Sequence, residues 1–168
     1  MQDGTTVPAD MIVLATGFNL CVFGDISFSI DGKPLDMGDT VTWRGMMFTG
    51  VPNLVWVFGY FRASWTLRAD MISEFTCRLL QHMDEKGVDR VEVVLPPDLV
   101  DSPRGLWVDP EDFNPGYLAR GQHLLPKTAP GPEWRHTQDY WREKDEIPRV
   151  DLDGPAFRYA RTRLPMTT

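Results

Sequence analysis

The sequence predicts an α/β (or α+β) fold over residues 1–95, followed by a proline-rich, largely irregular arm over residues 96–168. Short apolar runs at 11–14, 41–48, 51–58 and 91–95 have the length and the β-branched and aromatic content of strands. One segment, 66–86, carries its apolar residues at helical spacing. Eleven of the fourteen prolines fall between Pro96 and Pro165, where regular structure should thin out.

In chain order, Asp3-Gly4 reads as a turn feeding residues 9–18. There Met11-Ile12-Val13-Leu14 is a continuous apolar run of the kind a central strand buries on both faces. It ends in Ala15-Thr16-Gly17, small residues that let another backbone or a flat ligand come close. Asp31-Gly32-Lys33-Pro34, between Phe28 and Leu35, reads as the turn of a surface hairpin. A further strand is expected at 41–48 and a central one at 51–58, which Gly59 breaks. From Thr66, residues Leu67, Met71, Ile72, Phe75, Leu79, Leu80 and Met83 form one apolar face of a helix that Gly87 stops.

Ser64 or Thr66 is the expected helix cap. A strand that turns through glycine into a helix leaves the first amide N–H groups unpaired, with the positive end of the helix dipole behind them. Anions and polar ring edges bind at such corners, although capping and architecture alone also account for the residues. Arg62 and Arg68 read as solvated charges able to meet a phosphate or carboxylate, and Asp70 as a first-turn charge matched to the dipole.

At 168 residues and 19.2 kDa the chain can build one real core. Hydrophobic content of 42% and charged content of 24% are ordinary for a globular protein. A net charge of −7 without a basic cluster argues against nucleic acid as partner. The longest strongly apolar run, 54–61, is too short to span a membrane, and no signal peptide opens the chain, so a cytoplasmic location is expected. Cys21 and Cys77 are expected as buried or half-buried free thiols, and His82, His123 and His136 share no ligand spacing, so no metal is expected. The arm carries Trp107, Phe113, Tyr117, Trp134, Tyr140, Trp141 and Phe157, the makings of a strap that packs on the core or a neighbouring domain and that can drive self-association.

Two stretches carry a resemblance. Residues 10–18, Asp-Met-Ile-Val-Leu-Ala-Thr-Gly-Phe, match the Asp-x-apolar-apolar-x-Ala-Thr-Gly pattern of flavoproteins with two dinucleotide-binding domains. Residues 52–70, Pro-Asn-Leu-Val-Trp-Val-Phe-Gly-Tyr-Phe-Arg-Ala-Ser-Trp-Thr-Leu-Arg-Ala-Asp, closely resemble the last flavin-domain strand and helix of the flavin-containing monooxygenases, including the Baeyer–Villiger type. The resemblance extends through Met46-Met47 and, more loosely, into 116–120, 125–127 and 134–140. Arg62 stands where these proteins often have Asn, and His123 where an acidic residue is common. No Gly-x-Gly-x-x-Gly occurs in the 168 residues, and the family's Phe-Gly-His fingerprint is absent.

The chain thus resembles the C-terminal portion of such an enzyme and is not expected to be active alone. The resemblance implies that in the whole enzyme NADPH reduces FAD, and that O₂ then gives a C4a-(hydro)peroxyflavin that oxygenates a heteroatom or ketone of a small-molecule substrate. It implies cofactor contacts at Thr16, Gly17, Gly59, Tyr60, Ser64, Trp65, Thr66 and Leu67, with no catalytic acid, base or nucleophile in this chain. Tyr60 and Trp65 would wall the ring, although either can equally be packing. Two other classes stay open: a non-catalytic fragment or interaction module, and a flavin-dependent disulfide reductase. The second is disfavoured because no redox cysteine pair occurs.

Overall fold

The helix read from the apolar period is the spine of the computed structural model, which describes residues 2–162. It runs as α1 (Trp65–Lys86), with Ser64 at the N-cap. Gly87 ends it in the left-handed region, φ 64° and ψ 36°, returning its N–H to the Asp84 and Met83 carbonyls. Its buried face is Arg68, Met71, Ile72, Phe75, Leu79 and Met83.

Among the described residues the strands form three two-stranded antiparallel sheets. β1 (Phe28–Ile30) and β2 (Lys33–Leu35) make the expected hairpin, with Ser29 opposite Pro34. Asp31 and Gly32 turn it with φ of 52° and 75°, the left-handed pair that a two-residue hairpin turn requires. The strand expected at 41–48 instead divides into β3 (Thr42–Trp43) and β4 (Met47–Phe48), because Arg44 and Gly45 both adopt positive φ and reverse the chain. β5 (Arg90–Val93) pairs with β6 (Phe157–Ala160), a strand contributed by the arm, with Val91 opposite Tyr159. The arm also holds two short helices, α2 (Gly116–Gly121) and α3 (Tyr140–Glu146). A parallel bridge Thr49–Val93 ties the β3–β4 pair to β5, and another, Val41–Lys127, ties it to the arm.

Two expected strands do not form. Residues 11–14 carry no strand pairing, and Met11, Ile12, Val13 and Leu14 are 78–83% exposed. An apolar run becomes a central strand only when other strands flank it, and among the described residues none pairs with this one. Residues 51–58 are extended but make no ladder. They are pinned at two points: Asn53, whose N–H donates to the Val91 carbonyl and whose Oδ1 accepts from the Val91 N–H, and Trp56, whose N–H donates to the Met46 carbonyl at 2.8 Å. The cysteines also depart from expectation, since Cys21 and Cys77 are both exposed. Cys77 lies between Phe75 and Leu79 in sequence and therefore on the opposite side of α1 from them.

The arm is built into the core. Beneath α1, Trp43, Met46, Met47, Val91 and Val93 pack with Trp134 and Ile147 of the arm. A second, aromatic cluster joins Phe48, Val51, Trp107, Leu118 and Leu125, with Phe23, Trp56 and Tyr117 at its margin. Full burial contributes about 1.5–3 kcal/mol for each large apolar side chain, so the arm's buried residues belong to the molecule's stability. Among the described residues no helix is long and apolar enough to cross a membrane.

Candidate functional site

The chain from Phe58 to Arg68 turns sharply into α1, and glycine is what allows the turn to be tight. A Cβ on Gly59 would lie 2.4 Å from Cγ and Cδ2 of Trp65 and 2.8 Å from its Cα, so the backbone at 59 rests directly on the first helical residue. Trp65, held against Phe58 with ring centroids 4.9 Å apart, keeps 51% of its surface exposed. The Ser64 and Thr66 hydroxyls bond each other at 2.8 Å, and the Ser64 side chain does not cap the backbone. The first-turn amides of a 22-residue helix, two hydroxyls and a half-exposed indole therefore share one edge, which Leu67 extends. Such an edge can receive an anionic or electron-rich polar rim with a flat ring lying against the indole.

Behind this edge lies a buried polar hub. Arg68 is wholly buried, and its guanidinium donates to Glu143 Oε2 at 2.9 Å, Glu143 Oε1 at 3.3 Å, the Phe58 carbonyl at 2.7 Å and the Arg44 carbonyl at 2.5 Å. Glu143, on α3 and equally buried, also accepts from Tyr60 and Thr137, each at 2.5 Å. Burial, and then the bond to Glu143, push the Tyr60 hydroxyl far above its ordinary range, so it remains a donor at neutral pH. His136 stacks on Trp107 at 5.0 Å and meets Phe58 edge-on. Burial first, and the Arg68 charge second, hold its imidazole well below its ordinary range, offset in part by a hydrogen bond with the Gly59 backbone.

The structure brings Gly59, Ser64, Trp65, Thr66 and Leu67 together at the start of α1. Tyr60 adjoins them but turns inward, 1% exposed, with its hydroxyl on Glu143 and its ring against Tyr140. Thr16 and Gly17 are exposed in the N-terminal segment, which is fastened to α2 through Phe18 stacked on Tyr117 and Arg120 bonded to the Phe18 carbonyl. Arg68, read as a solvated charge, is the buried centre of the hub, while Arg62 is the exposed one and pairs with Asp112 at 3.0 Å. Asp70 stands beyond the first turn of α1, which contains no acidic residue.

Sequence reasoning missed Glu143, Gln138 and His136. The signal for the first was present: Arg68 falls on the helix face of Ile72, Phe75 and Leu79, and an arginine buried there needs a carboxylate partner. No local pattern announces which one, 75 residues away.

Similarity to known proteins bears on this corner. The chain is 40% identical over 166 residues, 99% of its length, to a protein named FAD-containing monooxygenase EthA from Mycobacterium tuberculosis. It is 35% identical over 159 residues to the putative FAD-containing monooxygenase MymA of the same species, and 32% identical over 159 residues to the probable FAD-binding monooxygenase AlmA of Acinetobacter baylyi. These matches cover 33%, 31% and 31% of the relatives, so the chain spans about a third of the length of the curated proteins it matches. No family model matches the chain, and no solved structure does. By sequence, then, the chain is similar to about a third of the length of proteins named as FAD-containing or FAD-binding monooxygenases.

Proposed function

We propose that this chain is the C-terminal, cofactor-contacting part of an FAD- and NADPH-dependent monooxygenase that oxygenates a heteroatom or ketone of a small molecule. The observation that carries the reading is the Gly59–Leu67 corner: free first-turn amides, paired hydroxyls and a half-exposed tryptophan on one edge, in a chain whose relatives are named for FAD. FAD, when bound, supplies the redox chemistry that couples NADPH to O₂.

The contribution of this chain is binding and electrostatics. The N–H groups of Thr66 and Leu67, at the positive end of α1, favour negative charge on the pyrimidine rim, and their geometry is set before the reaction begins. Trp65 covers one side of the ring and excludes water from it. Gly59 lets the backbone close onto Trp65 and so sets where the indole stands. Thr16 and Gly17, on the N-terminal segment, complete the contact set in the whole protein. No side chain here is assigned a proton-transfer step.

The test is made on full-length protein. It should purify yellow or take up added FAD, and should oxidise NADPH only when O₂ is present. A colourless full-length protein that binds no added FAD would overturn the proposal in favour of a non-catalytic module.

A further inference from the structure

Three consecutive residues of the corner, Tyr60, Phe61 and Arg62, are each held by a residue of the C-terminal arm. His136 of the arm meets the Phe58 ring edge-on just before them and bonds Gln138 Nε2 at 3.1 Å. The Tyr60 hydroxyl donates to Glu143, and the Phe61 N–H donates to Gln138 Oε1 at 2.6 Å. Arg62 pairs with Asp112 and donates to its carbonyl as well. One turn into α1, Arg68 reaches the same Glu143 carboxylate, so both limbs of the corner end on a single arm residue.

Glu143 is itself fixed. It lies in α3, whose start is capped by the Asp139 side chain accepting from the Arg142 N–H, and the Glu143 N–H bonds the Asp139 carbonyl. Thr137 donates to its other oxygen from the chain preceding α3. Sliding α1 along the segments that carry Phe58, Arg44 and Glu143 would break all of these Arg68 bonds together. In a buried, water-excluded setting those losses are not made good by solvent, so the arrangement is steeply defined.

We infer that residues 136–143 of the arm are positioning residues for the cofactor edge, with Glu143 at their centre: they set where Trp65 and the first amides of α1 stand. The inference rests on the FAD reading above. Glu143 and Gln138 act through the corner and touch no cofactor atom.

Glu143→Gln keeps the shape and removes the charge. Gln138→Ala removes the acceptor of the Phe61 N–H and the Nε2 bond to the His136 ring, leaves the buried ion pair intact, and serves if the first variant folds poorly. In full-length protein, hydrogen–deuterium exchange across residues 59–68 and FAD affinity by titration are measured side by side. Glu143→Gln is expected to speed exchange in that segment and to raise the FAD Kd about tenfold, the scale at which outer supporting residues act on ligand affinity. Gln138→Ala is expected to shift both in the same direction by less, with a smaller loss of melting temperature than Glu143→Gln. If FAD protects the corner of the wild-type protein but both variants keep wild-type affinity, the arm is structural only and the inference is overturned. If FAD leaves exchange at the wild-type corner unchanged, the cofactor reading itself is wrong and the inference goes with it.

Discussion

Replacing Gly59 by alanine tests the geometry of the corner most directly. The new methyl would sit 2.4 Å from two atoms of the Trp65 ring and 2.8 Å from the Trp65 Cα, whereas carbon atoms pack at about 3.5–4.0 Å. Rotating the indole relieves the first two contacts but not the third, which is backbone, so the start of α1 must move. Overpacking of this kind costs about 1–3 kcal/mol, and loss of glycine's freedom in the unfolded chain returns about 0.4–1 kcal/mol, a net cost centred on about 1.3 and at most about 2.6 kcal/mol. With a urea m-value of about 2 kcal/mol/M, the midpoint should fall by about 0.6 M, and by no more than about 1.3 M, at unchanged m. Trp65→Ala removes the two ring contacts and leaves the Cα, so in that background the same glycine substitution should cost about 1 kcal/mol less. Equal costs in the two backgrounds would refute the claim that the residue 59 backbone rests on the indole.

Arg68→Met should destabilise by about 3–5 kcal/mol in denaturant titration, because Glu143 is left buried without its cation; adding Glu143→Leu should recover part of the loss, since the Tyr60 hydroxyl is then left unpaired, and a double variant as unstable as the sum of the two single variants would contradict a buried pair. His136 has a folded-state pKa held below its ordinary value, so below about pH 6.5 the unfolded chain takes up a proton that the folded chain refuses. Stability from this residue is therefore complete above that pH and falls on acidification, by at most about 1.4 kcal/mol per pH unit. His136→Phe should flatten the dependence between about pH 6.5 and 5, before carboxylates titrate; an unchanged slope in denaturation series would show the ring to be solvated.

What the sequence made legible follows from how local each cause is. The helix at 65–86 and the Asp31-Gly32 hairpin could be read because their causes lie within a few residues: a 3.6-residue apolar period, a left-handed stop at Gly87, and a two-residue positive-φ turn. The strands expected at 11–14 and 51–58 could not be settled, because a strand exists only through its neighbours and composition does not supply them. The same limit hid the site's supports. Ser64, Trp65, Thr66 and Leu67 stand where a strand–glycine–helix pattern puts them, but the groups beneath, Glu143, Gln138 and His136, come from a segment whose prolines advertise only irregularity.

The chemistry of the hub explains why an irregular arm is held so specifically. A buried arginine–carboxylate pair is a poor device for stability alone, since apolar residues of the same volume often serve as well or better. Apolar contacts, however, tolerate sliding, and the arm has little regular backbone pairing to prevent it: apart from β6 and isolated bridges, its segments are short helices and turns. Arg68 removes that freedom, because its planar donor fork is satisfied only when the Phe58 and Arg44 carbonyls and Glu143 converge on it at once. Tyr60, kept protonated by its surroundings, adds a fourth condition that does not change across neutral pH. Three remote segments are thereby fixed to one register at the point where the chain turns into α1, and a small error at that point would be carried directly to the exposed amides and indole.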